Sequence, residues 1–276
     1  MRQFYLVDDV GSTFIFDYRY STLLIGVDGI GVSRENTYLN YSGTYKLVKR
    51  INPRTQISGT IVFLKGYAGY TNFLNYLKNC KGSLRLFYKA DNLKYIYVEV
   101  ESIRKTEISY GVLQCTIVFD KLSMWLNKVS HTITVNENSL NKVYPYRYPF
   151  TYSSSFNGEI TVTNNGCVRA PVRIEIIGKT SYPVIEIIKD GNVVSKMRLL
   201  VTSNNINDII VVNSEVTNQE MSLTSNGNTL DIYQYQDFTC DNFLFLNVGT
   251  FRIKFSPGVS DYSICKFQFL EMYEGN

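Results

Sequence analysis

Apolar and polar residues alternate with a period of two along most of this chain, a pattern that predicts strands far more often than helices. The clearest stretch is residues 161–200, TVTNNGCVRAPVRIEIIGKTSYPVIEIIKDGNVVSKMRLL. Within it Val172, Ile174 and Ile176 fall on one side and Arg173 and Glu175 on the other, as on a strand with one buried face. Asp190-Gly191 separates two β-rich runs and predicts a two-residue type I′ turn, because both central positions of that turn need φ > 0. Upstream, residues 14–16, 23–27 and 55–63 read as strands. Residues 83–88 (SLRLFY), 93–103 (LKYIYVEVESI) and 111–119 (GVLQCTIVF) read as three more, with Asp91-Asn92 turning between the first two. In the last of these, Leu113, Cys115, Ile117 and Phe119 share one side, and Gln114, Thr116 and Val118 the other.

One segment carries the helical period. Over residues 70–79, Phe73, Leu74 and Leu77 form an apolar face, with Tyr70 a turn earlier. Thr71 is placed to serve as N-cap, and Gly82 lies just past the expected end. Residues 136–158, NENSLNKVYPYRYPFTYSSSFNG, break the alternation with Asn, Ser, Tyr, Pro145 and Pro149. They predict a linker packed on a surface, and with it two domains, residues 1–140 and 141–276. The second half is all strand by pattern. A hairpin turns at Asn226-Gly227, and residues 243–249, 251–258 and 263–273 follow as short strands bounded by Gly or Gly-Pro pairs. That spacing indicates a β-sandwich, and the chain as a whole is mainly β.

Composition sharpens this picture. With 22 Tyr and 16 Phe and a charged share of only 19%, the chain is globular and suited to sheet. No apolar run approaches the roughly 20 residues that span a bilayer. Asp8 and Asp9 interrupt the only apolar patch at the N-terminus, so a soluble chain made in a cytoplasm is expected. Five cysteines at irregular spacing, with no C-x-x-C and one histidine, exclude a zinc site of usual spacing and read as small buried thiols. Net charge is +4, concentrated in residues 1–140, where 17 Lys/Arg meet 11 Asp/Glu. Lys46, Lys49, Arg50 and Arg54 dominate that excess. Nucleic-acid recognition would need an aromatic RNP-type motif or a basic helix, and neither is present. The cluster is instead expected in a loop that faces solvent or a neighbouring subunit.

Candidate chemistry is sparse. His131 lacks a nucleophile and an orienting carboxylate in any recognisable motif, so it reads as a lone polar residue near a strand start. Glu99 and Glu101 are two apart on a strand and share a face. Glycoside hydrolysis instead needs carboxyls across a cleft, one of them desolvated, and surface charge is the better account. Gly26-Val-Asp-Gly-Ile-Gly31 reverses the spacing of a dinucleotide loop and is followed by strand material, not a helix. It reads as a bend or bulge. These observations predict no catalytic residue, no cofactor and no metal. A sugar-binding sandwich would stack a pyranose on an exposed ring. The abundant Tyr keeps that reading as an alternative, but an aromatic on a sheet is more often core.

The phrase over residues 161–200 resembles the distal tail protein family of long-tailed phages. There an N-x-G loop leads into an alternating strand ending at I-x-G, then an x-P-x-I strand and a hairpin; Asn165-Gly166, Ile177-Gly178 and Pro183-Val184-Ile185 match in order. Downstream, Leu246, Gly249 and Phe255 hold the places of the family's closing unit, although Val248 and Thr250 depart from its usual proline and asparagine. Arg54, Ile57 and Gly59 are similar to its R-x-I-x-G strand. The resemblance implies a tube-related β-sandwich with one helix at the N-terminus and a galectin-like, carbohydrate-module-like sandwich after it. It implies a homo-hexameric ring at the virion tail tip, between the tail-tube protein and the tail-tip hub, with receptor-binding or baseplate proteins docking outside. It implies no enzyme, no membrane insertion and no direct nucleic-acid recognition. The glycan alternative is binding of host cell-wall polysaccharide by the C-terminal sandwich.

Overall fold

The computed structural model describes residues 2–135, 157–259 and 263–275. The chain divides into two compact units, residues 1–127 with 272–276, and residues 128–271. The linker expected at 136–158 lies, apart from Asn157 and Gly158, outside the described residues. Strand dominates both units, as the period-two pattern requires.

The first unit opens with β1 (Gln3–Val7) and β2 (Thr13–Phe16), paired antiparallel with Phe4 opposite Phe16. β3 (Thr22–Asp28) pairs with β6 (Gln56–Phe63), and between them the chain makes a separate hairpin, β4 (Glu35–Tyr41) and β5 (Thr44–Ile51). After α1 (Gly66–Asn79) come β7 (Leu84–Lys89), β8 (Leu93–Lys105) and β9 (Leu113–Lys121). The hydrogen-bonded order is β2-β1-β7-β8-β9-β6-β3. β8 pairs with β7 through residues 93–98 and with β9 through 98–105, and its register shifts between Val100 and Ser102. One long strand, bent at a bulge, thereby serves two ladders. β10 (Trp125–Thr134) starts beside β8, with Leu126 opposite Tyr95.

The core of this unit is strongly aromatic: Phe63, Phe73, Phe119 and Trp125 are fully buried among Leu6, Leu86 and Ile96. Phe73 holds α1 in place, its ring 4.8 Å from Phe14 and 5.9 Å from Phe63. The helix begins a turn before the expected start. Lys65 occupies the N-cap without a side-chain bond, and Thr71 lies inside the helix. Packing of Tyr70 and Phe73 against Phe63 overrides the local capping preference. The core-facing stripe is buried Phe73 with half-buried Tyr70, Tyr76 and Leu77, whereas Leu74 is exposed. Gly82 has φ +72° and stands two residues beyond the C-cap Cys80. There Asp8 and Asp9 accept the amides of Lys81 (3.3 Å) and Ser83 (2.6 Å).

The second unit contains β11 (Gly158–Asn164), β12 (Ala170–Gly178), β13 (Thr180–Ser181), β14 (Val184–Lys189), β15 (Asn192–Arg198) and β16 (Thr202–Ser203). It continues through β17 (Ile209–Asn213), β18 (Glu220–Ser225), β19 (Asn228–Asp231), β20 (Phe245–Leu246), β21 (Gly249–Ser256) and β22 (Ser263–Tyr273). One sheet runs β19-β18-β17-β12-β22-β10 and the other β11-β21-β14-β15. Both contribute to one apolar core: Ile174, Ile176, Ile210 and Phe267 from the first, Ile185, Ile187, Ile253 and Phe255 from the second. Val172, Ile174 and Ile176 are buried while Arg173 and Glu175 are not, as the alternation predicts. Residues 243–249 fall short of the expected strand and form only β20. Beyond the Pro171–Phe245 pair the Val172 amide still donates to Leu244 O (3.3 Å), but no further strand forms.

The family-like turns are structural. Asn164 is buried, donates to Val168 O (3.1 Å) and Leu246 O (2.9 Å), and accepts the Gly166 amide (2.9 Å). Buried Glu271 accepts the backbone and side-chain N–H groups of Asn165 at 2.9 and 3.2 Å. Asp208 closes the turn near Gly178: its carboxylate accepts Ser203 Oγ–H (2.9 Å) and the Asn205 amide (3.1 Å). Burial works to raise the Asp208 pKa, but hydrogen bonds from Ser225, Asn205 and Ser203 outweigh it, and the carboxyl titrates below its usual range.

Candidate assembly surface

The hairpin β4–β5 forms for local reasons. Ser42 and Gly43 both take positive φ, 48° and 86°, which gives the primed turn that matches strand twist. Asn40 Oδ1 accepts the Gly43 amide at 3.0 Å and fixes the turn. The flanking runs are rich in Tyr, Thr, Leu, Val and Ile. Every residue of both strands is exposed, and neither strand pairs with any other strand among the described residues. Cross-strand partners share a face, so Tyr38 with Leu47 and Asn40 with Tyr45 define one side. Thr37 with Lys49 and Leu39 with Lys46 define the other, and the register shifts between Thr37 and Tyr38. Large apolar groups stand in solvent on this element: Tyr41 is 62% exposed, Tyr45 69% and Val48 56%.

A two-stranded ribbon is marginal in water by itself. Here its base is clamped within the first unit. Arg34 precedes β4 and Asn52 follows β5; both bind Glu274. Arg34 Nε donates to Oε2 at 3.0 Å, its Nη2 makes a second contact to the same oxygen, and Asn52 Nδ2 donates to Oε1 at 3.4 Å. These bonds, Arg34 first, hold the Glu274 carboxyl below its ordinary pKa. At the entry to the hairpin, Gly29 (φ +81°) lies so close to β6 that a Cβ there would sit 2.1 Å from Gln56 O.

The four basic residues expected at a contact are distributed by this geometry. Lys46 and Lys49 share one face of the hairpin, and Arg50, opposite Asn36, is on the other. Arg54 lies past the hairpin and pairs with Asp120 at 2.6 Å. Gln56 Nε2 donates to that carboxylate (3.2 Å) and to Glu101 (2.9 Å). Glu101 is the extra residue of the β8 bulge, exposed like Glu99. The Gly26–Gly31 loop is a bend, with a register shift between Ile25 and Asp28. His131 sits late in β10, its ring stacked 6.2 Å from Phe269. Of the thiols, Cys115 and Cys265 are buried, Cys80 and Cys240 half-buried, and Cys167 exposed, so the expectation of five buried thiols fails at Cys167. Among the described residues no three of His, Cys, Asp and Glu are grouped to hold a metal. No helix there is long and apolar enough to cross a membrane.

Sequence reasoning missed the hairpin and its clamp. The Ser42-Gly43 dipeptide between two β-rich runs was a usable signal for the first. Nothing local ties Glu274 to Arg34, 240 residues away.

Residues 3–122 match the family model for the N-terminal domain of distal tail proteins. No curated protein matches the chain. Among solved structures, a chain of the phage p2 baseplate in its activated conformation with strontium aligns over 100% of both chains at TM-score 0.68 and 14% identity. The same baseplate with calcium aligns over 100% of both chains at 0.68 and 13%. The SPP1 Dit protein, described as a paradigm of the hub adsorption apparatus in phages infecting Gram-positive bacteria, covers 97% of this chain and 98% of its own at 0.60 and 13%. The fold is shared across the whole length despite low identity. The matched domain and the shared fold are those of structural components of phage tail tips. Residues 3–122 are therefore similar to the N-terminal domain of distal tail proteins, and the likeness of fold to the solved structures extends over the rest of the chain. The glycan-binding alternative is not favoured.

Proposed function

We propose that this protein forms a homo-hexameric ring that joins the tail tube to the tail-tip hub and carries receptor-binding or baseplate proteins on its periphery. The N-terminal half, residues 1–140, makes the ring contacts as a tube-like sandwich. The C-terminal half, residues 141–276, is a galectin-like sandwich and faces outward. Neither half is assigned a reaction. The observation that carries the ring reading is the hairpin β4–β5, which exposes apolar and basic side chains on both faces and buries neither. In a cyclic assembly each subunit presents two different complementary patches, and a projecting ribbon serves as one of them. Lys46 and Lys49 give its cationic face an acidic counterpart to find on the next copy.

Reversing Lys46 and Lys49 to Glu tests this. Light scattering should show loss of the ring. Stability of the isolated chain should change by no more than about 0.5 kcal/mol, as for other exposed substitutions. A ring of normal size from the double variant would reject the assignment.

A further inference from the structure

The chain has a single tryptophan, Trp125, fully buried at the start of β10. Its Nε1–H meets no acceptor. Buried donors almost always find partners, so an orphan indole N–H calls for an explanation. Trp125 lines a cavity of about 470 Å³ in the first unit, walled by the segments that flank the hairpin and by the end of β9. Lys121, Ser123, Arg54 and Glu274 also line it.

Most of these groups are already engaged. Glu274 is ion-paired with Arg34 and hydrogen-bonded by Asn52. Arg54 is paired with Asp120 at 2.6 Å. Ser123 Oγ donates to Met124 O (2.8 Å) and accepts the Tyr97 amide (3.1 Å). Lys121 differs: no ion pair is made by its ammonium among the described residues. Burial lowers its pKa, and Asp28 opposes this more weakly. Two donors, one neutral and buried, one cationic and half-buried, therefore line one cavity without an acceptor. A cation would gain nothing there, since the carboxylate in the wall is already satisfied. An acceptor with negative charge satisfies both donors at once.

We propose that this cavity is a carboxylate-binding site, with Trp125 Nε1–H and Lys121 Nζ as the donors. The carboxylate is supplied by an Asp or Glu side chain of a second copy or by a free small acid, and the recognition chemistry is the same. Only the second-copy source rests on the ring reading.

Because Trp125 is the sole tryptophan, its emission reports on the site in the full-length protein. In one arm, dilute unassembled protein is titrated with acetate and with succinate, against sodium chloride and sulfate at matched ionic strength. In the other, protein concentration is raised through assembly with no acid added. A free-acid site gives a saturable emission shift with Kd near about 1 mM, and Lys121→Met weakens it by about tenfold or more while Lys121→Arg retains it. A second-copy site gives a shift that appears with assembly and is lost in Lys121→Met. The proposal is overturned if neither arm moves the emission, if sulfate or chloride moves it equally, or if Lys121→Met, folded by circular dichroism, responds like the parent. Assembly without an emission change, and without a response to acid, rejects this site and leaves the ring intact. A saturable succinate response in a protein that never assembles does the reverse.

Discussion

The hairpins β4–β5 and β14–β15 are built alike and live in opposite environments. Each is closed by a two-residue primed turn, with φ of 48° and 86° at Ser42-Gly43 and 50° and 83° at Asp190-Gly191. Each carries one register shift, between Thr37 and Tyr38 in the first and between Ile187 and Ile188 in the second. Yet β14 and β15 bury Ile185, Ile187 and Met197 in the core of the second unit, whereas β4 and β5 bury nothing. Turn chemistry and strand propensity are therefore enough to shape a ribbon, but they do not decide what holds it. In one case the core does; in the other a carboxylate clamp at the base and, in our account, a neighbouring subunit.

The comparison breaks most visibly in side-chain truncation. Ile187→Ala should cost about 2–5 kcal/mol in denaturant unfolding, the usual range for emptying a packed core position. Leu47→Ala in the exposed hairpin should cost less than about 0.5 kcal/mol in the isolated chain and act instead on assembly. Equal losses of stability at the two sites would show that β4–β5 is packed in solution.

Turn substitutions sharpen the contrast at lower cost. Replacing Gly191 or Gly43 with Ala puts a Cβ on a left-handed residue, a penalty of about 1–2 kcal/mol. At Gly191 the penalty should register in the melting of the second unit. At Gly43 it should leave global melting unchanged and lower amide protection in the hairpin alone.

Two carboxylates add a pH dimension. Asp208 and Glu274 both titrate below their unfolded values. Each therefore contributes stability that is fully present above an unfolded pKa of about 4 and is lost as pH falls through the lower folded value. Asp208→Asn should flatten the acid limb of unfolding in the second unit. Glu274→Gln should do so only for hairpin amide protection, the smaller effect, because it frees the hairpin base without opening the core. Hydrogen exchange from pH 6 down through the unfolded value of about 4 distinguishes the two.

Much of this was legible in the sequence because it is local. Val172, Ile174 and Ile176 announced a half-buried strand, and Asp190-Gly191 and Asn226-Gly227 announced their turns; all stand as read. What failed to show was non-local. The helix start depended on Phe63 packing against Tyr70 and Phe73, not on Thr71. Of the strand read over residues 243–249, only Phe245 and Leu246 form a ladder with β12, a pairing set by where β12 runs and not by their own pattern. The basic residues read as one cluster because they are close in sequence. A period-two strand then put Lys49 and Arg50 on opposite faces, and Asp120 claimed Arg54. The orphan donor of Trp125 has no signature in sequence at all.

The central claim is that β4–β5 is the arm by which one copy holds the next. Hydrogen exchange of residues 35–51, measured on dilute protein and on the assembled particle, tests it most directly. The account predicts fast exchange through this hairpin in the dilute chain and strong protection on assembly, while Ile185 and Ile187 in β14 are protected in both. A hairpin that exchanges equally fast in the assembled particle would contradict it.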